Sequence, residues 1–159
     1  MRVKLAYGKE GLWVELPDDN VTVLEPKHVQ GLPDERLALC GALRAPTGTP
    51  PLRDLVTPDD TVAIVFSDIT RPQPRKQMLP AVLEAISRVP REQIVLINAV
   101  GTHRTNTQDE LDEMLGHEIV DGFRIVQHDP LDRTSTVYLG ESSFGHGVHI
   151  NAEYVRASV

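Results

Sequence analysis

Three short polar segments contain the residues of this sequence whose types could do chemistry. They are Ser67-Asp68-Ile69-Thr70-Arg71-Pro72, Gly101-Thr102-His103-Arg104 and His128-Asp129-Pro130. Carboxylates and imidazoles can exchange protons, and the planar guanidinium of arginine binds carboxylate or phosphate through two hydrogen bonds. If the segments lie together, they could bind a small anion and move a proton on it.

The first segment is stiffened by prolines. Pro72 and Pro74 restrict the loop backbone and can start the following helix, which would hold Asp68 and Arg71 in fixed directions. Arg71 could then bind a carboxylate or phosphate. An interpretation without function stays open, because Asp68 could cap the helix with Arg71 as its ion-pair partner.

The second segment contains the histidine with the best case for proton transfer. His103 follows Gly101, and a glycine allows close backbone approach. An imidazole with the ordinary pKa of about 6.5 exchanges protons at neutral pH, and the charge of Arg104 would favour the neutral form that acts as a base. Most loop histidines are only hydrogen-bonded polar residues. The hypothesis for His103 therefore depends on the neighbouring segments.

The remaining histidines carry weaker hypotheses. His128-Asp129-Pro130 favours a strand-ending turn over an orienting His–Asp pair. His146 and His149 have a metal-ligand spacing, but residues three apart in a strand lie on opposite faces, which argues against zinc. A metallohydrolase that uses these three histidines is the weakest function we consider. His117 is predicted to lie at the surface.

The elements that must position these segments are three parallel strands. Apolar runs precede the segments and helical patterns separate the runs: strands are predicted at 61–66, 93–99 and 123–127, and helices at 78–89 and 108–115. Runs that are apolar on both faces and alternate with helices indicate a parallel sheet covered by helices. Because such sheets bind ligands at the carboxyl ends of their strands, the three segments should meet at one edge.

Antiparallel strand pairs are predicted before and after the parallel strands in the sequence. The alternating stretches 2–7 and 11–16 indicate an N-terminal β-hairpin in which Trp13 is a core anchor, and 21–25 could add a strand. Residues 134–139 and 147–151 indicate a second pair.

Between the hairpin and the first parallel strand, residues 37–43 indicate a helix ending near Pro46 with Cys40 in the core. The predicted fold class is therefore α/β, with a Rossmann-like, mostly parallel sheet flanked by helices, an N-terminal β-hairpin and a C-terminal antiparallel strand pair. A single α/β domain over residues 1–159 is expected.

Composition narrows the possible partners. The 16 Lys and Arg against 23 Asp and Glu give a net charge of −7, which repels nucleic acid and anionic membrane surfaces. One cysteine, Cys40, fits a reducing compartment, so the cytoplasm is the expected location. The sequence contains no GxGxxG, GxxxxGK[ST] or GxSxG motif, so the common dinucleotide, P-loop and hydrolase interpretations fail.

Taken together, Ser67–Pro72, Gly101–Arg104 and the Val-His-Ile-Asn stretch at 148–151 resemble the N-terminal domain of the lactate racemase family, the nickel-pincer-nucleotide enzymes. The resemblance covers most of the chain. It rests on the Asp-x-Thr-Arg-Pro and Gly-x-His-Arg motifs in combination, since either motif alone would be weak.

The resemblance implies a racemase or epimerase acting on 2-hydroxy acids. In this family a nickel-pincer nucleotide accepts the hydrogen of C2 as hydride while a histidine takes the hydroxyl proton. By this likeness His103 is an acid/base residue, Arg71 binds the substrate carboxylate and Asp68 orders the site, while Asp68, Thr70 and Gly101 are candidate cofactor contacts. No metal ligand is expected within this chain.

The family also has a segment that this chain lacks, Pro-His-x-x-x-Gly-aromatic-Ser-Gly-Gly-x-Lys, which supplies a second histidine and the lysine that tethers the cofactor. No lysine occurs in residues 114–159. We therefore expect the N-terminal domain of a longer two-domain enzyme, inactive alone, whose partners are a 2-hydroxy acid, the missing C-terminal domain and a second copy of the chain. The alternative is a stand-alone α/β module that binds a small anion through Arg71, Arg104 and loop amides without catalysis.

Overall fold

Apolar, largely β-branched runs form a three-stranded parallel sheet in the order β3-β4-β5. The strands are β3 (Val62–Ser67), β4 (Ile94–Ala99) and β5 (Arg124–Gln127). The register places Val65 beside Ile97 and Asn98 beside Gln127. The first five residues of β4 are buried, since a central strand is covered on both faces. The three polar segments therefore follow strand ends at one edge, as predicted.

The structure is a computed structural model that describes residues 1–159, and the chain forms two compact units, 1–31 and 32–159. The smaller unit contains the hairpin of β1 (Arg2–Leu5) and β2 (Leu12–Glu15), paired so that Arg2 lies opposite Glu15. The larger unit contains the parallel sheet and all of the helices. No helix in the chain has the length and apolar character that crossing a membrane requires.

The larger unit contains five helices: α1 (Glu35–Arg44), α2 (Arg75–Ala85), α3 (Gln108–Leu115), α4 (His117–Gly122) and α5 (Ala152–Arg156). The helices α2, α3 and α4 pack apolar side chains against the sheet, whereas α1 packs on α2 and α5 packs on the second antiparallel pair. The core joins Phe66 and Leu96 of the sheet to Leu79 of α2 and Leu111 of α3. Burying each such side chain contributes roughly 1.5–3 kcal/mol to the stability of this packing.

The second antiparallel pair leads directly into the last helix. It consists of β6 (Thr136–Glu141) and β7 (Gly147–Asn151), and Thr136 lies opposite Asn151. After α5 the backbone runs beside the start of β3, where the amide of Ala63 donates to the carbonyl of Val159 at 2.9 Å. The predicted fold class, with both antiparallel pairs, is confirmed.

Several detailed expectations are wrong. Trp13 is 54% exposed, with the guanidinium carbon of Arg2 4.9 Å from its ring centroid, because a hairpin of two four-residue strands encloses no core. Residues 21–25 form no strand. Cys40 is only half-buried, and no residue of α1 is fully buried. The predicted helix at 78–89 lies at 75–85, because Ile86 and Val89 continue the apolar pattern after the helix has ended.

Candidate active site

A hydrogen bond joins the ends of two strands at the predicted edge. Nδ1 of His103 lies 2.5 Å from Oδ2 of Asp68, although the two residues are 35 positions apart in the sequence. Asp68 follows β3 and His103 follows β4, so the parallel pairing of these strands brings the two side chains together. The Asp68 side chain is 5% exposed and that of His103 is 46% exposed. The carboxylate is therefore shielded while the imidazole faces solvent.

Hydrogen bonds to the Asp68 carboxylate favour its charged form. The bond with His103 is the main cause that lowers the pKa of Asp68 from its ordinary 3.8, and burial acts in the opposite direction. The hydroxyl of Thr70 also donates to Asp68, at 2.8 Å to Oδ1. An ionised Asp68 accepts the Nδ1 hydrogen of His103, so in a neutral ring the lone pair lies on Nε2.

Arg71 is the free cation of the site. Its side chain is exposed and makes no hydrogen bond or ion pair with the protein. It lines a hollow of about 250 Å³ together with Asp68, Gly101 and His103. Asp68 does not cap α2, whose first turn has no side-chain cap, and it bonds to His103 instead of Arg71. The cap and ion-pair interpretation of this segment is therefore not what the structure shows.

The loop that carries Asp68 and Arg71 is held by Arg75, which our sequence analysis missed. Arg75 is 6% exposed, and its guanidinium donates to backbone carbonyls across the loop. The acceptors are the carbonyls of Ser67 (2.8 Å), Asp68, Arg71 (3.0 Å) and Gln73 (3.3 Å). Burial lowers the pKa of Arg75, and the charge of Asp68 partly offsets this. The available signal was a second arginine at the first position of a helix after two prolines.

A tight turn places His103 at the end of β4. The amide of His103 donates to the carbonyl of Val100 at 3.0 Å, and Gly101 has a φ of +60°, a conformation that favours glycine. A Cβ added at Gly101 would meet nothing within 4 Å. Glycine is therefore required here for the turn, and the space beside it is open. Of the three candidate cofactor contacts, Asp68 and Thr70 already form side-chain hydrogen bonds within the protein.

Buried amides hold the rest of this second loop. Asn98, which is fully buried in β4, donates through Nδ2 to Asn106 at 2.9 Å and to Gln127 at 3.2 Å. Gln127 in turn accepts from the backbone amide of Asn106 and donates to its carbonyl. The sequence analysis missed this network. A polar residue at the end of a buried apolar run was the available signal.

Arg104, which follows His103 in the sequence, is paired with a carboxylate. Its guanidinium bonds to both carboxylate oxygens of Glu110, at 2.7 and 2.8 Å. Glu110 also completes a capping box with Thr107 at the start of α3. This pairing raises the pKa of Arg104 and lowers that of Glu110. The charge of Arg104 is thus balanced, and its guanidinium is occupied.

The third segment lies beside His103 and forms a second hollow with its loop. This hollow has a volume of about 470 Å³ and is bordered by residues 102–105 and 128–131. Asp129 accepts from the amide of Leu131 at 2.9 Å, so the predicted turn is confirmed. His128 faces Asn151, with 3.4 Å between its Nδ1 and the amide nitrogen Nδ2. Another hollow, of about 490 Å³, lies between α1 and α2, away from this edge.

The structure contains no group of side chains that could bind a metal ion. No group of three or more His, Cys, Asp or Glu side chains is close enough to hold one. His149 lies against the ring of Tyr138, with 5.1 Å between the ring centroids. The structure gives no support to a metal centre built from His128, His146 and His149. His117 is a surface residue as predicted, with its side chain 80% exposed and its Nδ1 3.1 Å from Oδ1 of Asp112.

Comparison with known proteins decides the family. The model of the lactate racemase N-terminal domain matches residues 7–159. The chain belongs to this family. Over 162 residues it is 28% identical to the lactate racemase of Thermoanaerobacterium thermosaccharolyticum, covering 99% of this chain and 38% of that protein. Over 153 residues it is 29% identical to the lactate racemase of Lactiplantibacillus plantarum, covering 94% of this chain and 36% of the relative.

A solved structure supports the same assignment. The lactate racemase apoprotein from T. thermosaccharolyticum superposes on the whole of this chain with a TM-score of 0.78 at 28% identity. The match covers 37% of that protein. The chain thus spans a little over one third of the length of the lactate racemases it matches. The predicted family resemblance is confirmed.

Proposed function

We propose that residues 1–159 are the N-terminal domain of a longer racemase or epimerase that acts on 2-hydroxy acids. The observation that carries the proposal is the bond between His103 and the buried carboxylate of Asp68, beside the unpaired guanidinium of Arg71. The similarity to two lactate racemases supports a 2-hydroxy acid as substrate. A base, an orienting carboxylate and a free cation are what such a substrate needs at its hydroxyl and carboxylate.

In this proposal His103 takes the hydroxyl proton. The Nδ1 hydrogen is donated to Asp68, so the lone pair of Nε2 faces the hollow and can accept the proton on the C2 hydroxyl of the substrate. The resulting imidazolium is stabilised by the negative charge of Asp68. Positioned general bases contribute typically 10²–10⁴-fold to a rate. Asp68 acts through His103 and is a positioning residue.

Arg71 binds the substrate carboxylate. A guanidinium and a carboxylate form two parallel hydrogen bonds, which fix orientation as well as position. Because Arg71 and His103 line the same 250 Å³ hollow, a bound 2-hydroxy acid can place its carboxylate at one and its hydroxyl at the other. Arg75 keeps Arg71 in place through its backbone carbonyl.

The hydrogen on C2 of the substrate must leave as hydride, and none of these residues can accept a hydride. We propose that the full-length enzyme uses the nickel-pincer nucleotide. No cluster of three ligating side chains exists here that could hold a metal ion by itself. Residues 114–159 also contain no lysine that could tether a cofactor. We therefore expect the cofactor to be held outside residues 1–159 and this domain to be inactive alone. The second domain of the same chain is its proposed partner, and the cytoplasm its proposed location.

The test uses the full-length protein matured with its cofactor. Interconversion of the lactate enantiomers is measured by chiral chromatography for the unmutated enzyme and for His103→Ala. Loss of the base should lower kcat at least 100-fold. The matched control is His117→Ala, which removes an exposed histidine away from the site and should leave kcat unchanged.

Two outcomes would contradict the proposal. If His103→Ala retains the activity of the unmutated enzyme, His103 has no part in proton transfer. If the unmutated enzyme interconverts no 2-hydroxy acid but still binds lactate in a manner that Arg71→Met abolishes, the chain is the binding module that its free guanidinium also allows.

A further inference from the structure

Arg75 and Asp68 are the two charged residues of the chain that are buried. A buried arginine ordinarily lies against a carboxylate, because an unpaired charge is costly to remove from water. The Asp68 carboxylate is bonded to His103, and the guanidinium of Arg75 donates to backbone carbonyls alone. Charge pairing therefore does not explain why an arginine is buried at this position.

Holding a loop does not by itself require an arginine. The neighbouring loop after β4 is held mainly by the uncharged amides of Asn98, Asn106 and Gln127. A guanidinium differs from an amide because it carries five donors in one rigid plane, which fixes its acceptors relative to one another. The distinctive contribution of Arg75 is therefore the geometry that it imposes on the carbonyls around it.

One nitrogen of Arg75 bridges the two residues of this loop whose side chains the proposed reaction uses. Nη2 donates to the carbonyl of Asp68 and, at 3.0 Å, to the carbonyl of Arg71. Nε donates at 2.8 Å to the carbonyl of Ser67, the last residue of β3. The guanidinium thus joins the backbone of both residues to each other and to the end of the strand.

We propose that Arg75 is a positioning residue that sets the distance between the guanidinium of Arg71 and the imidazole of His103, so that a 2-hydroxy acid is bound at both ends at once. Arg75 contacts no substrate and acts through the backbone of Asp68 and Arg71. This inference rests on the proposed function, which assigns the substrate carboxylate to Arg71 and the hydroxyl to His103. A misplacement of about 1 Å at such anchors can lower a rate about 100-fold.

The first test compares a ligand that uses both anchors with one that uses a single anchor. A lysine at position 75 keeps the charge but carries its donors on one atom, so it cannot reproduce the planar arrangement of bonds. In the full-length enzyme, Arg75→Lys should raise KM for lactate and lower kcat, each at least tenfold. The inhibition constant of propionate, which has the carboxylate but no hydroxyl, should change less than threefold.

The control for this test is Arg88→Lys, at an exposed arginine, which should leave all three constants unchanged. A purely structural role of Arg75 would lower the amount of folded enzyme, and with it the apparent kcat, without changing KM. An unchanged KM, or an equal change for lactate and propionate, would overturn the inference while leaving the proposed function intact. If the unmutated enzyme turns over no 2-hydroxy acid, the proposed function itself fails.

The second test asks whether Arg75 acts through Arg71. Residues that act as a unit have non-additive effects, whereas independent residues have additive ones. Arg75→Lys should lower kcat/KM for lactate at least 100-fold in the unmutated enzyme but less than tenfold in an enzyme that already carries Arg71→Met. The same factor in both backgrounds would show that the two arginines are independent and would overturn the inference.

A third readout needs no variant at position 75 and so does not depend on whether that variant folds. The ¹H–¹⁵N spectrum of the guanidinium groups in residues 1–159 reports which N–H groups are held in hydrogen bonds. We expect separate, slowly exchanging Nη signals for Arg75, retained in Asp68→Asn because the acceptors are carbonyls. Averaged signals like those of exposed Arg88, or signals lost in Asp68→Asn, would contradict the bridging role.

Discussion

The loops after β3 and β4 carry the two halves of the site and are held in different ways. The first is held by a buried cation, since Arg75 donates to carbonyls of the loop between Ser67 and Gln73. The second is held mainly by amides, through Asn98, Asn106 and Gln127, and the Glu110 carboxylate also accepts from Asn106 at 3.0 Å. Only the first set of bonds buries an unpaired charge, because Glu110 is partly exposed and paired with Arg104.

The difference follows from what each loop presents. The first loop presents Asp68, whose carboxylate must stay ionised, and the buried guanidinium of Arg75 places a positive charge beside it. The second presents His103, whose side-chain bond is to Asp68, and the adjacent cation Arg104 is balanced by Glu110. The first scaffold therefore places a buried cation beside the carboxylate, whereas the charges of the second scaffold are paired with each other beside the residue proposed to transfer a proton.

Removing the buried cation should have the largest effect. Arg75→Met leaves several loop carbonyls without a donor, and we expect the free energy of unfolding of residues 1–159 to fall by about 3 kcal/mol or more. Urea unfolding monitored by circular dichroism measures it. Arg88→Met, at an exposed arginine, should change stability by less than about 0.5 kcal/mol. Equal effects at the two positions would show that Arg75 does not hold the loop.

Breaking the amide network should cost less. Asn98→Leu keeps the side-chain size but leaves the Asn106 side-chain oxygen without the donor it has in β4, and we expect a loss of about 2 kcal/mol. Gln127 keeps the backbone amide of Asn106 as a donor, which limits the damage. Exposed Gln108→Leu is the control in the same urea experiment. A loss at Asn98 larger than that at Arg75 would reverse the comparison between the two loops.

Neutralising the carboxylate should have the smallest effect and a defined pH dependence. Asp68→Asn keeps an acceptor for His103 but loses the charge, so we expect a loss of about 1 kcal/mol at pH 7. Because the folded-state pKa of Asp68 lies below its ordinary 3.8, its extra stability is present above that value and disappears as the pH falls through the lowered pKa. The difference between the wild-type and Asn variants should therefore shrink as the pH falls below 3.8 and through the lowered pKa. A constant gap down to pH 2 would contradict the assigned cause.

The sequence was sufficient to predict the parallel sheet and the edge where the polar segments meet. Apolar runs of the right length determine strands with little ambiguity, and the predicted 61–66 differs from the observed Val62–Ser67 by one residue at each end. The family was likewise predicted from the Asp-x-Thr-Arg-Pro and Gly-x-His-Arg motifs, which lie at this edge.

What could not be predicted depends on contacts between residues distant in sequence. Arg75 looks like an ordinary helix residue until the loop folds over it, and the bond between Asp68 and His103 requires the β3–β4 pairing. Trp13 was misjudged because its alternating strand pattern does not show how many strands lie beside it. Local patterns predict elements, whereas the partners of polar groups follow from tertiary structure.

The central claim is that Asp68 holds His103 with its Nε2 lone pair free for the substrate. The most direct measurement is the tautomer of His103 in residues 1–159, from the ring ¹H–¹⁵N correlations of the wild type and of Asp68→Leu at a pH where the ring is neutral. The account predicts the hydrogen on Nδ1 in the wild type, and loss of this preference in the variant, which cannot accept it. A wild-type hydrogen on Nε2, or a tautomer that Asp68→Leu does not change, would contradict it.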